Sequence, residues 1–300
     1  MIKECIMELK GILKHFDTSF ISKKTIITQL KREEDDSFYQ VWRIDTDAGR
    51  YILKEAKAYE SEVYHTILTR IGKNTPAIYQ TAVIDEKTFL LMEYIQGEDL
   101  RKCSRHKLVL ALDALISLQK ETWESPVYAN LGYSFDASFN GRQNRGKYLN
   151  DAELETVYKK FLEIYASVPR ALCHDDLLPF NIIVSTDNAF LIDWEYGGIL
   201  PYPTSIARLI AHGEDTEDAL FYMTQEDKEF AIGYYYDNLL KDRGITYVEW
   251  RNTIEYFLFY EYCEWVFVGN KYENIDNEYY IKYLPLAKRQ AHRIQKLNYQ

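Results

Sequence analysis

The chain has 300 residues, 47% of them hydrophobic and 27% charged, enough apolar surface for two packed lobes of a globular protein. Its formal net charge of −10 argues against broad nucleic-acid binding, which needs a basic surface to displace counterions from phosphates, and suits a cationic partner better. No run of eighteen apolar residues is present to span a membrane, and Cys5, Cys103, Cys173 and Cys263 are scattered without a C-x-x-C pair, so neither zinc nor a disulfide framework is indicated.

Met1 to Phe20 carries charges throughout and spaces Ile2, Ile6, Leu9, Leu13 and Phe16 along one face of an amphipathic helix. It does not read as a secretory leader, and a cytoplasmic location is the expectation. Thr25 to Leu30, Phe38 to Ile44 and Arg50 to Glu55 read as the opening strands of an antiparallel sheet. The charged tip between the first two, Lys31 to Ser37, contains no glycine. It is either a plain hairpin tip or a phosphate-covering loop served by backbone groups and the Ser37 hydroxyl. Lys54 ends the third strand, and a helix from Ala56 to Ile71 offers Glu60 and Glu62 ahead of apolar Val63, Ile67 and Leu68. Tyr79 to Ile84 and Thr88 to Tyr94 form a second hairpin through Asp85-Glu86-Lys87. Beyond Gly97 the pattern turns helical: His106 to Gln119 has a broad apolar face, and Asp151 to Val168 is stopped by Pro169.

The most informative stretch runs from Leu172 to Val184 and on to Phe190-Leu191-Ile192-Asp193. His174, Asp176 and Asn181 fit H-x-D-x-x-x-x-N, in which the Asp orients or deprotonates a hydroxyl nucleophile and the Asn ligates Mg²⁺. Asp193, twelve residues beyond Asn181, closes a short apolar strand and supplies a second oxygen ligand. Cys173 beside His174 admits a thiol nucleophile, but neighbours on an extended strand point to opposite faces, so Cys173 reads as a small buried hydrophobe. After the break at Leu200-Pro201-Tyr202-Pro203, helices are predicted over Ser205 to His212, Gln225 to Lys241, Tyr247 to Phe267 and Tyr279 to Leu297. Glu214, Asp215, Glu217 and Asp218 form an acidic cluster, and the third of these helices interleaves Glu261 and Glu264 with aromatics including Trp265. Those three residues are candidates for holding a cation by charge and cation–π attraction; the competing reading is an ordinary core stripe.

Two positions set this loop apart from serine/threonine protein kinases: Leu178 and Glu195 stand where those enzymes carry Lys and the Gly of Asp-Phe-Gly. HDDLLPFNIIV from His174 and IDWEY from Ile192 resemble instead the loop and metal motif of the aminoglycoside phosphotransferase and choline kinase superfamily. The resemblance implies a two-lobed, protein-kinase-like α+β fold, with a small antiparallel-sheet lobe over residues 1–95 and a mainly helical lobe over 96–300. It implies ATP (or GTP) and Mg²⁺ as cofactors, and Asp176 as the catalytic group with His174 bracing its loop. Asn181 and Asp193 would hold the metal. Lys54 would neutralise phosphate charge, paired with Glu62 in preference to Glu60, and the backbone of Glu93, Tyr94 and Ile95 would read the adenine edge. The implied substrate is a small molecule bearing a hydroxyl, cationic in kind, with neither nucleic acid nor membrane as partner. The alternative from another class is a catalytically inactive binding or scaffold protein on the same fold.

Overall fold

The computed structural model describes residues 9, 11–17, 19, 24–31 and 37–297. Strands β1 (Ile26–Lys31), β2 (Phe38–Thr46), β3 (Gly49–Glu55), β4 (Ile78–Ile84) and β5 (Lys87–Glu93) form one antiparallel sheet in the order β1-β2-β3-β5-β4. Period-two alternation puts Trp42, Ile44, Leu53, Phe89 and Leu91 on one face. Leu9, Ile12, Leu13 and Phe16 of the predicted amino-terminal helix are buried against that face; Ile2 and Ile6 lie outside the described residues. Of the charged tip before β2, residues 32–36 also lie outside them, and Ser37 immediately precedes β2.

The helix after β3 starts later than the sequence pattern suggests. Ala58 has a left-handed φ of 38°, which a right-handed helix excludes, so helix begins only at α1 (Glu60–Val63). It continues through a π segment (Tyr64–Leu68) into α2 (Thr69–Ile71).

Past the short strand β6 (Glu98–Asp99), helices dominate: α3 (Arg105–Thr122), α4 (Phe135–Gly146) and α5 (Ala152–Ser167), capped by Ser104, Ser134 and Asp151. The second of these is absent from the sequence reading. Its two glycines and polar run give poor helix propensity and little periodicity. Tertiary contact supplies what propensity lacks, because Phe135 and Phe139 stack on each other and on Tyr165 of α5.

The strands β7 (Arg170–His174) and β10 (Gly197–Pro201) pair antiparallel, while β8 (Ile182–Val184) lies between β6 and β9 (Ala189–Leu191). This β8–β9 hairpin turns through Ser185 to Asn188, where the Ser185 amide donates to the Asn188 carbonyl at 2.8 Å. A Cβ on Gly198 would overlap the Tyr133 carbonyl, which explains why β10 carries glycine at its close approach to the loop before α4. The remaining helices are α6 (Pro203–Ala211), α7 (Gln225–Tyr235) with a following π segment, α8 (Tyr247–Lys271) and α9 (Glu278–Leu297). Helix α8 opens with a Thr246/Glu249 capping box and runs four residues beyond its predicted end. Large aromatics fill the core: Trp194, Trp250, Tyr165, Tyr202 and Tyr235 are all fully buried. No helix among the described residues is long and apolar enough to cross a membrane.

Candidate active site

β7 delivers the chain to the loop Asp175–Leu178, and a 3₁₀ turn (Pro179–Asn181) returns it into β8. His174 braces this loop. Its Nε2 lies 2.7 Å from the Ile192 carbonyl, which only accepts, so Nε2 carries the proton and Nδ1 accepts from the Asp176 amide at 3.3 Å. Burial holds its pKa below the ordinary histidine value, keeping the ring neutral. Cys173 is fully buried, its Sγ directed at the Leu200 and Pro201 carbonyls, and burial pushes its thiol up to about 12. A thiolate nucleophile is therefore absent at this position.

On one side of the loop, Lys54 Nζ donates to Glu60 Oε1 at 2.7 Å and to Asp193 Oδ1. This corrects the pairing with Glu62. Two residues apart on a helix turn by roughly 200°, so only one of the two glutamates can face β3. Glu60 does, fully buried, while Glu62 accepts the Gly132 amide at 3.1 Å. Burial opposes the Lys54 charge, but Glu60 and Asp193 outweigh it and raise its pKa; burial pushes Glu60 up to about 6. Glu60→Gln should raise the nucleotide KM about tenfold, because it breaks a buried pair that orients Lys54, while Glu62→Gln should change it less than about twofold. Steady-state kinetics of both variants, with melting temperatures as control, checks this.

Asp193 sits at a left-handed φ of 65° just past β9, and burial, which would raise its pKa, is outweighed by Lys54, leaving it lowered. Asn181 Nδ2 donates to the Asp176 carbonyl at 2.8 Å, and its own carbonyl accepts the Ile192 amide at 3.0 Å. Those bonds tie the two predicted metal ligands together. They leave Asn181 Oδ1 and Asp193 Oδ2 without hydrogen-bond partners among the described residues. Two open oxygens, one anionic, fit Mg²⁺, which fills the rest of its shell with water and phosphate.

At the far end of this side, Glu93 closes β5, where its side chain accepts the Ala77 amide. Tyr94 and Ile95 follow outside any strand, and neither forms a backbone–backbone hydrogen bond among the described residues.

On the other side of the loop lies a cavity of about 370 Å³ bordered by Asp176. Five ion pairs organise it. Arg208 Nε and Nη2 both donate to Asp176 Oδ1, at 3.1 and 2.8 Å, and its Nη1 reaches Glu261 at 2.9 Å and Glu264 at 2.6 Å. Arg142, stacked between Tyr165 and Tyr260, holds both oxygens of Asp175. Arg145 donates to Glu264 and the Tyr260 hydroxyl. Asp175 thus borders the same cavity as Asp176, fixed there by Arg142. Glu261 and Glu264 border it too, as members of an arginine network. Trp265 does not: it stacks on Tyr279 at 4.3 Å, outside the cavity lining. The aromatic rings bordering it are Tyr260, Tyr133 and Tyr196, the last two edge to face at 5.7 Å.

Burial would raise the Glu264 pKa, yet Arg208, Arg145 and Arg142 hold it down at about 2. A depressed carboxylate contributes stability that is present above its unfolded pKa, near 4.5, and lost as pH falls toward the folded value. The Tm gap between wild type and Glu264→Gln should therefore narrow as pH is lowered from about 5 to about 3, in thermal unfolding across that range.

The arginines were not foreseen. Arg142 and Arg145 ride on the unforeseen helix α4, but Arg208 left a signal: it is the single charged residue of α6, and a charge on a buried helix must find partners.

Residues 29–237 match the model of the phosphotransferase enzyme family, APH. Protein LicA of Haemophilus influenzae is 33% identical over 73 residues, which cover 24% of this chain and about a quarter (27%) of LicA. The fold is similar to that of choline kinase LicA from Streptococcus pneumoniae, with a TM-score of 0.59 at 18% identity over 95% of this chain and 99% of that one. It is likewise similar to a Plasmodium vivax ethanolamine kinase, with a TM-score of 0.62 at 14% identity over 94% of each chain. A third similar structure is aminoglycoside phosphotransferase APH(4)-Ia in a ternary complex with AMP-PNP and hygromycin B, with a TM-score of 0.60 at 13% identity over 96% and 98%. With a family match over most of its length and a kinase-like fold around the His174–Asp193 loop, this chain belongs to the phosphotransferase enzyme family.

Proposed function

We propose that the protein transfers the γ-phosphoryl group of ATP, with Mg²⁺, to a hydroxyl of a small cationic molecule. The observation that carries this reading is the position of Asp176 between two sites, the Lys54–Glu60–Asp193 cluster and the acceptor cavity. Asp176 Oδ1 is fixed by Arg208, which leaves Oδ2 to take the acceptor's hydroxyl proton as its oxygen attacks the phosphorus. Lys54 stabilises the charge of the phosphates, and Tyr94 and Ile95 offer backbone groups to adenine. Asn181 and Asp193 are the metal ligands in this reading, and the metal, when bound, supplies charge neutralisation on the phosphates. The division into a nucleotide lobe over 1–95 and an acceptor lobe over 96–300, and a cytoplasmic setting, belong to the same proposal.

The cationic group of the acceptor is assigned to Glu261, whose Oε2 is taken by Arg208 and His212 while Oε1 has no partner among the described residues. The faces of Tyr133 and Tyr196 add cation–π attraction of roughly 0.5–2 kcal/mol each. The cavity is near the lower end of the usual ligand-pocket range of roughly 300–1,000 Å³, which favours an acceptor of choline or single-sugar size. Purified protein assayed with ATP and Mg²⁺ against choline, ethanolamine, amino sugars and small hydroxy amino acids should phosphorylate a member of that set. Absence of metal-dependent turnover on every member would favour the inactive binding protein.

A further inference from the structure

The acceptor cavity is lined by three arginines in a chain whose formal net charge is −10. A site built only for a cation has no need of them. Their hydrogen bonds divide them into two kinds. Arg142 is buried and committed to Asp175 and Ser138, and Arg208 is committed to Asp176, Glu261 and Glu264. Arg145 differs. Its side chain is 39% exposed, and Nη1 alone is used, on Glu264 and Tyr260; Nε and Nη2 have no partner among the described residues. One edge of a guanidinium with two parallel donors is the geometry that takes a carboxylate or phosphate in a bidentate grip.

Glu264, the carboxylate nearest to Arg145, is already shared by Arg145, Arg208 and Tyr260, so it leaves the Arg145 edge open. Lys271 sits 5.3 Å from the Phe267 ring, which also has Tyr148 at 5.7 Å and Arg145 at 5.9 Å, and Lys271 forms no ion pair among the described residues. Both cations occur in the last turns of their helices, α4 and α8, where the helix dipole is negative and holds a cation in place.

We infer that the acceptor of this phosphotransferase is zwitterionic: besides its hydroxyl and amine it carries an anionic group, carboxylate or phosphate, that the free edge of Arg145 binds. This rests on the reading of the cavity as the acceptor site. The cavity then presents three open valences in one small space: Asp176 Oδ2 for the hydroxyl, Glu261 Oε1 for the amine and Arg145 Nε/Nη2 for the acid. Hydroxy amino acids and betaine-like hydroxy acids have this chemistry, whereas choline, ethanolamine and amino sugars lack the acid.

The test uses paired acceptors with and without the acid: serine against ethanolamine, which differ only in a carboxylate; serinol phosphate, which keeps one free hydroxyl, against serinol; and carnitine against choline, where the acid arm also makes the hydroxyl secondary. We expect kcat/KM at least about tenfold higher for the acid-bearing member of one pair, the carboxylate and phosphate pairs telling the two anions apart. Arg145→Gln should collapse that ratio at least about fivefold through KM, and Arg145→Lys should restore part of it. A merely structural Arg145 would lower both members of a pair together and leave the ratio unchanged, which would overturn the inference. Equal or better use of the acid-free member in every pair would overturn it too, while leaving the phosphotransferase reading in place. If no acceptor turns over, that reading falls, and calorimetric binding of serine, carnitine and serinol phosphate to the full chain decides the inference: binding lost in Arg145→Gln supports it, and no binding overturns it.

Discussion

Asp176→Asn is expected to lower phosphoryl transfer by about 10³-fold with the fold intact, an effect of the size assigned to a positioned general base. The side chain is 41% exposed and borders the cavity, so the core does not depend on it. Asparagine keeps the shape and can still sit beside Arg208, which retains Glu261 and Glu264 as partners. What disappears is the basic Oδ2 and the negative charge that aligns the attacking hydroxyl. Loss should fall on kcat, with the KM for nucleotide changed little, because nothing that holds nucleotide in the proposed site touches the Asp176 carboxylate. Steady-state kinetics beside thermal unfolding checks the point. Wild-type turnover in the variant would remove Asp176 from the chemistry.

The parts of this site that were legible in the sequence are those fixed by contiguous chain. His174, Asp176 and Asn181 share one loop, and Asp193 follows on the next hairpin, so spacing alone brings them together. Lys54 was legible because a strand's end projects it in a known direction. The choice of Glu60 over Glu62 was not, since it depends on where the helix starts, and that is set by the left-handed turn at Ala58, a residue with no turn signature of its own. Glu261 and Glu264 both border the cavity, yet their partners in the fold were hidden. Those partners are Arg208, 53 and 56 positions away, and Arg145, on a helix that packing creates and propensity does not. Trp265 failed for a related reason: on a helix whose aromatics surround it on several sides, only the position of α9 determines which ring Tyr279 covers.

Asp193→Ala is expected to weaken Mg²⁺-dependent nucleotide binding by about a hundredfold and to abolish turnover with it, whereas Asp176→Asn leaves that binding near wild type. Asp193 serves two groups at once in the proposed site. Its Oδ1 accepts from Lys54, and its Oδ2, together with Asn181 Oδ1, is the oxygen left open toward the cleft. Removing the carboxylate takes away the only anionic metal ligand of the pair and leaves Lys54 leaning on Glu60 alone. The phosphate charge then lacks its main compensation in the ground state as well as during transfer, which is why the loss should be visible in binding and not only in rate. The comparison with nucleotide alone separates the two contributions. Titration of a non-hydrolysable ATP analogue without Mg²⁺ should distinguish wild type from Asp193→Ala far less than titration with it, and a chelator should bring wild type down to the variant's affinity. Equal affinities for wild type, Asp176→Asn and Asp193→Ala in the presence of Mg²⁺ would remove Asp193 from the metal site and leave it as a partner of Lys54.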